Sequence, residues 1–121
     1  MAQDYVGSGN NIPLLHPGGQ FGTRLEGGED AASPRYIFTR LTTAARLLFP
    51  AVDVALLEHR EDDGQAVEPL CYCPVVPLVL INGAQGVGTG WSTNIPNHCP
   101  LDVIAYVRGR IDGAEGAALP K

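Results

Sequence analysis

The chain has 121 residues, 45% of them hydrophobic and 17% charged, and this composition excludes a disordered, highly charged tail. The length allows one domain with a modest core. The formal net charge of −5 disfavours a nucleic-acid partner, because phosphate contacts normally require Lys and Arg. The sequence predicts neither a transmembrane helix nor a signal peptide, since it has no long apolar run and no basic start before an apolar segment.

The first part of the chain, residues 1–34, is rich in Gly, Asn and Pro and predicts loops. Apolar residues spaced through it would anchor these loops to a scaffold, which argues against a flexible linker. The anchors are Ile12, Leu14, Leu15, Phe21 and Leu25.

A strand and a short helix are predicted next. Residues 36–41 are β-branched and aromatic, which favours a strand. Thr42 or Thr43 can then cap a helix that runs to residue 49 and stops at Pro50. We expect Ala44, Leu47 and Leu48 to face inward.

The second half of the chain predicts short elements that end in one clear helix. Residues 101–112 have Val103, Ile104, Val107 and Ile111 on one face, and Gly113 ends the helix. Trp91 is expected in the core. The other predicted elements, in order, are a helical turn at 54–59, a turn at 62–64, a strand at 66–73, an edge strand or break around Pro77 within 75–81, a glycine loop at 82–90, a strand at 91–95 and a linker at 116–121.

The three cysteines, Cys71, Cys73 and Cys99, have no disulfide-framework spacing and predict free, buried thiols. Together with His98, they could instead outline a zinc site. One residue between Cys71 and Cys73 is poor spacing for zinc, so the thiol interpretation is favoured.

An arginine directly before a tyrosine, Arg35-Tyr36, is the candidate catalytic pair. A phenol can attack phosphorus once it loses its proton, and a guanidinium presents a planar set of donors that fits phosphate oxygens. On a strand, however, neighbouring side chains point to opposite faces, so Arg35 would need a bend to serve the same phosphate as Tyr36. Taken alone, the pair is more often a core tyrosine beside a surface arginine.

The setting of this pair gives it weight. Pro-Arg-Tyr-Ile-Phe-Thr at 34–39 and Leu-Ile-Asn-Gly-Ala-Gln-Gly-Val-Gly-Thr-Gly-Trp-Ser-Thr-Asn-Ile-Pro at 80–96 resemble eukaryotic-type DNA topoisomerase II, a type IIA topoisomerase. Further blocks resemble the same family in the same order, at 1–8, 10–15, 19–25, 30–33, 45–50 and 67–69, with a helix near 107–108.

The chain departs from the family pattern at several positions. Gly9 resembles a one-residue insertion, Glu29 stands where the family commonly has lysine, and Val87 stands where it usually has isoleucine. Residues 52–54 and 70–71 also differ from the family. None of these departures touches Arg35 or Tyr36.

The resemblance implies an α+β fold, in which the end of a winged-helix domain carries the tyrosine (residues 1–60) and leads into a tower domain (residues 61–121). It implies an ATP-hydrolysing isomerase in which Tyr36 forms a 5′-phosphotyrosine link and Arg35 stabilises the transition state. Val87 would be a DNA-bending wedge, although a buried valine in a Gly-rich turn is the alternative. Gln20, Arg24 and the turns at Gly7-Ser8 and Asn10-Asn11 could line the DNA path, or could be ordinary turn or solvated residues.

Cofactors and partners follow from the same resemblance. The family acts as a homodimer on double-stranded DNA, with Mg²⁺ and ATP held by separate domains. Residues 83–90 lack the Gly-Lys-Ser/Thr of a nucleotide-binding loop, and we expect no metal ligands in this chain. The isolated fragment should therefore not relax DNA. A nuclear location is expected, and a mitochondrial one is possible.

Three alternatives stay open. The first is the A-type protein of gyrase or topoisomerase IV, which the Pro-Arg-Tyr-Ile-Phe-Thr sequence disfavours. The second is a non-catalytic DNA-binding or dimerisation fragment. The third is a plain globular module whose glycine loops serve only as turns.

Overall fold

The computed structural model describes residues 1–113 and 118. In this part of the chain, helices and strands are mixed, and the strands form three two-stranded antiparallel sheets. The strands are β1 (Leu15–Gly18), β2 (Phe38–Leu41), β3 (His59–Asp62), β4 (Gln65–Pro69), β5 (Ala84–Gly88) and β6 (Trp91–Ile95); the helices are α1 (Thr43–Leu48), α2 (Leu78–Asn82) and α3 (Pro100–Ile111); two 3-10 helices cover Pro34–Tyr36 and Ala51–Leu56. The expected linker at 116–121 lies outside the described residues, except for residue 118.

Strands β1 and β2 pair from Leu15 opposite Leu41 to Gly18 opposite Phe38. Helix α1 follows at once, and Thr42 caps it by accepting a hydrogen bond from the backbone N–H of Ala45, which confirms the predicted cap. The predicted inward face is partly confirmed. Leu48 is buried as predicted, but Leu47 is exposed and Ala45, not Ala44, is the buried alanine.

A tight hairpin joins β3 and β4. Asp63 and Gly64 both have positive φ, at 49° and 79°, as a two-residue turn between antiparallel strands requires, so the predicted turn is confirmed. The predicted strand at 66–73 ends earlier, at Pro69. In the same region, the predicted turn at 54–59 lies earlier, as the 3-10 helix Ala51–Leu56.

Residues 75–90 differ most from the sequence predictions. The apolar run contains a helix, α2, which begins directly after Pro77 and buries Ile81 completely. The predicted glycine loop contains strand β5, which pairs with β6 over its whole length. Pairing with a neighbouring strand stabilises β5 although glycine has a low strand propensity. The predicted strand at 91–95 is confirmed.

The core is small. Ile81 on α2 and Val103 on α3 are completely buried where the two helices pack, and the other buried apolar residues are Ala2, Ala45 and Leu48. Helix α3 is confirmed, but its predicted inward face extends too far, since Ile111 is exposed. Trp91 and Leu25 are also exposed, so their predicted burial is wrong.

Three asparagine side chains, Asn11, Asn82 and Asn97, join the N-terminal loop to the segment around α2, and we call them the asparagine clasp. The Asn82 amide pairs with one peptide unit: its Oδ1 accepts from Ile12 N at 2.9 Å and its Nδ2 donates to Ile12 O at 3.1 Å. Asn11 Nδ2 donates to Ile81 O at 2.8 Å, and Asn97 Nδ2 donates to Asn82 O at 2.8 Å. The clasp therefore satisfies backbone groups that no strand or helix pairs.

The cysteines are free, as predicted, but all three are exposed rather than buried. Within the described residues, no group of three or more His, Cys, Asp or Glu side chains is arranged to hold a metal ion. No helix in this part of the chain is long and apolar enough to cross a bilayer.

Replacing Asn82 by alanine should lower the free energy of unfolding by about 1–3 kcal/mol, because it leaves the N–H and C=O of Ile12 unpaired. Urea denaturation measures this loss. Asn94→Ala is the matched control, since Asn94 is exposed on β6 and its side chain makes no hydrogen bond within the described residues. Equal losses in the two variants would contradict the role of the clasp.

Stability should also depend on pH through His59. Its ring nitrogens lie 2.7 Å from Val67 O and 3.1 Å from Val54 O, and these carbonyls raise the pKa of His59. The stabilisation of the folded state by the protonated His59 ring is complete below the unfolded pKa of about 6.5. It is lost as pH rises through the raised pKa of the folded state. The stability difference between wild type and His59→Gln should therefore shrink as pH rises. A difference that grows with pH would show that the neutral ring is the stabilising form.

Candidate nucleic-acid interface

The loop before the tyrosine is ordered by one carboxylate. Asp30 accepts hydrogen bonds from Thr23 N at 2.8 Å and from Gln20 Nε2 at 3.0 Å, and it thereby closes the segment between them. The Thr23 N–H lowers the pKa of Asp30 below its ordinary value, so the carboxylate stays charged at neutral pH. Gly22 packs directly on Gly28, where any Cβ would lie 2.5 Å from the Gly28 Cα.

Tyr36 lies in the 3-10 helix Pro34–Tyr36, not at the start of a strand as predicted. Its N–H donates to Ser33 O at 2.9 Å, and Pro34 fixes the backbone at the first position of the turn. Strand β2 begins only at Phe38. The strand prediction for residue 36 is wrong because the Ser-Pro turn outweighs the strand propensity of Tyr36 and Ile37.

This turn changes the geometry of the candidate pair. A 3-10 helix has about three residues per turn, so neighbouring side chains diverge by about 120° rather than the 180° of a strand. Arg35 and Tyr36 are both exposed, Tyr36 by 71%. Within residues 1–113, no carboxylate pairs with the Arg35 guanidinium and no group hydrogen-bonds to the Tyr36 hydroxyl. A phosphate approaching from solvent can therefore meet both side chains.

The residue after the tyrosine anchors the turn. Ile37 is half-buried, and its Cγ2 lies so close to Gly19 that a Cβ there would approach it to 2.9 Å. Gly19 also has φ of +116°, which side chains rarely allow. Only glycine fits at this position, and its contact with Ile37 fixes the base of the turn that exposes Tyr36.

Val87 lies on β5 beside the two-residue end of the β5–β6 hairpin, opposite Ser92. Its side chain is 92% exposed, so the alternative of a buried valine is wrong. Glycine on either side of it, Gly86 and Gly88, leaves the neighbouring backbone uncovered by side chains. An exposed apolar side chain at the end of a narrow hairpin has the shape of a wedge.

The other predicted DNA-path residues divide into two groups. Arg24 is exposed at a turn closed by a hydrogen bond from Gly27 N to Arg24 O, and it is open to a ligand. Gln20 is committed to Asp30, and Asn10 donates to Gln3 O at 3.0 Å. These amides therefore hold the loops in place. An open groove of about 600 Å³ lies between the loop 4–11 and the residues Gln85 and Asn97.

The family model that describes the A-type protein of DNA gyrase/topoisomerase IV matches residues 1–121. The chain belongs to this family. Within the family, its curated relatives are named as eukaryotic topoisomerases: it is 60% identical over 115 residues to DNA topoisomerase 2-beta of Homo sapiens, and 58% identical over 113 residues to DNA topoisomerase 2 of Arabidopsis thaliana. These alignments cover 95% and 93% of this chain, but only 7% and 8% of the relatives.

A solved structure of this topoisomerase family supports the same assignment. The DNA-binding, cleavage and re-ligation domain of Plasmodium falciparum topoisomerase II matches with a TM-score of 0.82 and 47% identity. The match covers 92% of this chain and 15% of that one. The predicted resemblance to eukaryotic-type topoisomerase II and the mixed helix–strand fold are thus confirmed.

Sequence reasoning missed two features of this topoisomerase segment. The asparagine clasp gives no local signal, because Asn11 and Asn82 are far apart in sequence and each is also a common turn residue. The second is strand β5, which carries Val87, because the glycine-rich composition of residues 82–90 predicts a loop.

Proposed function

We propose that this chain is the breakage-reunion segment of a type IIA topoisomerase, which cuts both strands of a duplex, passes a second duplex through the break and reseals it. The observation that carries the proposal is the exposed Arg35-Tyr36 turn within a chain that matches the topoisomerase family along its whole length. The relatives' names support the reaction class, which is an isomerase acting on DNA topology.

Tyr36 is the proposed nucleophile. Its Oη forms a bond to the scissile phosphorus while the bond from phosphorus to the 3′-oxygen breaks, so the 5′-phosphate ends on the tyrosine. The phenol loses one proton, and the leaving 3′-oxygen gains one. The resulting ester keeps the energy of the broken bond, so the 3′-hydroxyl can reseal the strand by the reverse attack.

Arg35 is the proposed stabiliser of the transition state. A guanidinium is always cationic and offers donors that match two phosphate oxygens at once. Because no carboxylate of residues 1–113 competes for it, its charge is available to the phosphate. The 3-10 turn supports this role, because neighbouring side chains diverge by about 120° there and by about 180° on a strand.

Val87 is the proposed wedge that bends the DNA. Inserting an apolar side chain between base pairs unstacks one step and kinks the duplex, at a cost of a few kcal/mol. Valine is one methylene shorter than isoleucine, so we expect a shallower insertion. Arg24 is proposed to contact the DNA backbone from its exposed turn, and Gln20 to support this surface through Asp30.

The remaining parts of the activity are proposed to lie outside this chain. ATP hydrolysis would drive strand passage, and Mg²⁺ would supply charge neutralisation at the cleaved phosphate. The residues of the described segment do not fit either group, since they form no metal-ligand cluster and residues 83–90 belong to a hairpin. We further propose a homodimer on double-stranded DNA and a nuclear or mitochondrial location, with residues 1–60 in the winged-helix domain and 61–121 in the tower.

Tyr36→Phe should abolish the covalent DNA–protein product when full-length protein is mixed with end-labelled duplex and Mg²⁺ and then denatured. The variant loses only the attacking oxygen. Tyr72→Phe is the matched control, because Tyr72 is also exposed and its ring contact with Phe49 does not need the hydroxyl. Label retained by Tyr36→Phe would refute its role, and no adduct in wild type would favour the non-catalytic DNA-binding fragment.

Val87→Ala should reduce DNA bending and cleavage while leaving weak DNA association largely intact, and Val87→Ile should increase bending. Energy transfer between dyes at the two ends of a duplex measures the bend. Val52→Ala serves as the control, since Val52 is similarly exposed on the 3-10 helix Ala51–Leu56. A bend that is the same in all four proteins would remove the wedge from the mechanism.

A further inference from the structure

A second cationic surface lies beside the Arg35-Tyr36 turn. An open groove of about 410 Å³ runs along β1, β2 and the start of α1, and it is lined by His16, Arg40, Leu41, Thr42, Thr43 and Arg46. We call it the β2–α1 groove. None of its lining residues is acidic, and within the described residues neither Arg40 nor Arg46 has a carboxylate within 4.0 Å.

The β1–β2 pairing and the start of α1 form the floor of this groove and hold its basic side chains in place. His16 lies directly opposite Arg40 in the β1–β2 pairing, so the two side chains share one face of the sheet. Thr42 joins the floor to the loop before β1, since its Oγ1 donates toward Leu14 O and Pro13 O. Arg46 lies one helical turn after Thr42 and donates its N–H to Thr42 O.

Charge is segregated along the chain in a way that favours this surface. Residues 5–25 and 31–52 contain no Asp or Glu, although the whole chain has a net charge of −5. Of the acids that flank these two stretches, Asp30 accepts hydrogen bonds from Thr23 and Gln20. The β2–α1 groove therefore has a positive electrostatic potential although the chain as a whole is acidic. A ligand that matches this potential is an anion.

The position of the groove identifies that anion. Arg40 lies four positions after Tyr36, so their Cα atoms are at most about 14 Å apart. Duplex DNA rises about 3.4 Å per base pair, so this distance spans roughly four base-pair steps. A duplex whose scissile phosphate lies at Tyr36 has other phosphates within reach of Arg40 and Arg46.

We propose that the β2–α1 groove binds backbone phosphates of the duplex that is cut at Tyr36, within about four base-pair steps of the scissile bond. This proposal rests on the proposed function. Arg40 and Arg46 each pair with a phosphate, and the Thr43 hydroxyl and the His16 ring add hydrogen bonds to the same backbone. The groove positions the DNA and takes no part in the chemistry.

The test compares the full-length wild type with the double variant Arg40→Gln/Arg46→Gln by measuring duplex affinity across a salt series. Loss of two phosphate contacts should make the slope of log K against log[salt] less steep by about 1.8. Arg108→Gln/Arg110→Gln is the control, because it removes the same charge from the end of α3. Arg40→Lys/Arg46→Lys keeps the charge and should retain most of the wild-type slope.

Neutral methylphosphonate linkages locate the contact. Placed within four steps of the cleavage site, they should weaken wild-type binding and leave the Gln double variant unaffected. Equal weakening in both proteins, or a slope that matches the Arg108/Arg110 control, would overturn the proposal. The proposal would also be overturned if the Gln double variant lost thermal stability but kept the wild-type slope of log K against log[salt]. The two arginines would then pair with an acidic segment of the protein itself.

Failure of the proposed function has a different result. The wild type would then form no covalent adduct, while the slope of log K against log[salt] would still be less steep in Arg40→Gln/Arg46→Gln. That result would leave the groove as a phosphate site on a non-catalytic DNA-binding protein. Tyr36→Phe should leave the slope unchanged, because it removes no charge.

Discussion

The pairing of the Asn82 amide with the Ile12 peptide unit is the interaction on which the arrangement of the molecule depends. Its two hydrogen bonds reproduce the pattern of a strand ladder where no strand is present. Ile12 leads into β1, which pairs with the strand after Tyr36, and Asn82 leads through Gly83 into the hairpin that bears Val87. One side chain thus connects the candidate nucleophile to the candidate wedge.

Such a polar connection suits a chain whose core is too small to hold its parts together. Among the described residues only a few apolar side chains are buried. Ile81 is completely buried, and its carbonyl accepts a hydrogen bond from Asn11 of the clasp. Amide–backbone hydrogen bonds have defined directions and lengths, whereas apolar contacts tolerate sliding. Under the proposed function, Tyr36 and Val87 act on the same duplex, and directional contacts define the spacing between them more closely.

Much of this structure could be predicted where the signal is local. Thr42 and Pro50 mark the ends of α1, Asp63-Gly64 marks a hairpin turn, and the apolar period of α3 gives a helix. Each of these depends on residues within a few positions of one another. The candidate catalytic pair at 35–36 is equally local, and the family resemblance is what singled it out.

The features that could not be predicted depend on contacts between distant residues. Strand β5 exists because β6 pairs with it, and glycine composition alone suggests a loop. The apolar run before it becomes helix α2, which packs against α3 and buries Ile81 completely. Predicted burial of Trp91 and Leu25 assumed that the chain supplies partners for every large apolar side chain, and the described residues supply none for these two.

The most direct test of the account is to identify the side chain that carries the DNA. Full-length protein trapped on a duplex would be digested with nuclease and trypsin, and the modified peptide would be located by mass spectrometry. The account predicts the nucleotide on residues 36–40, the peptide between Arg35 and Arg40, with the added mass on Tyr36. A nucleotide on a peptide containing Tyr5 or Tyr72 would contradict it.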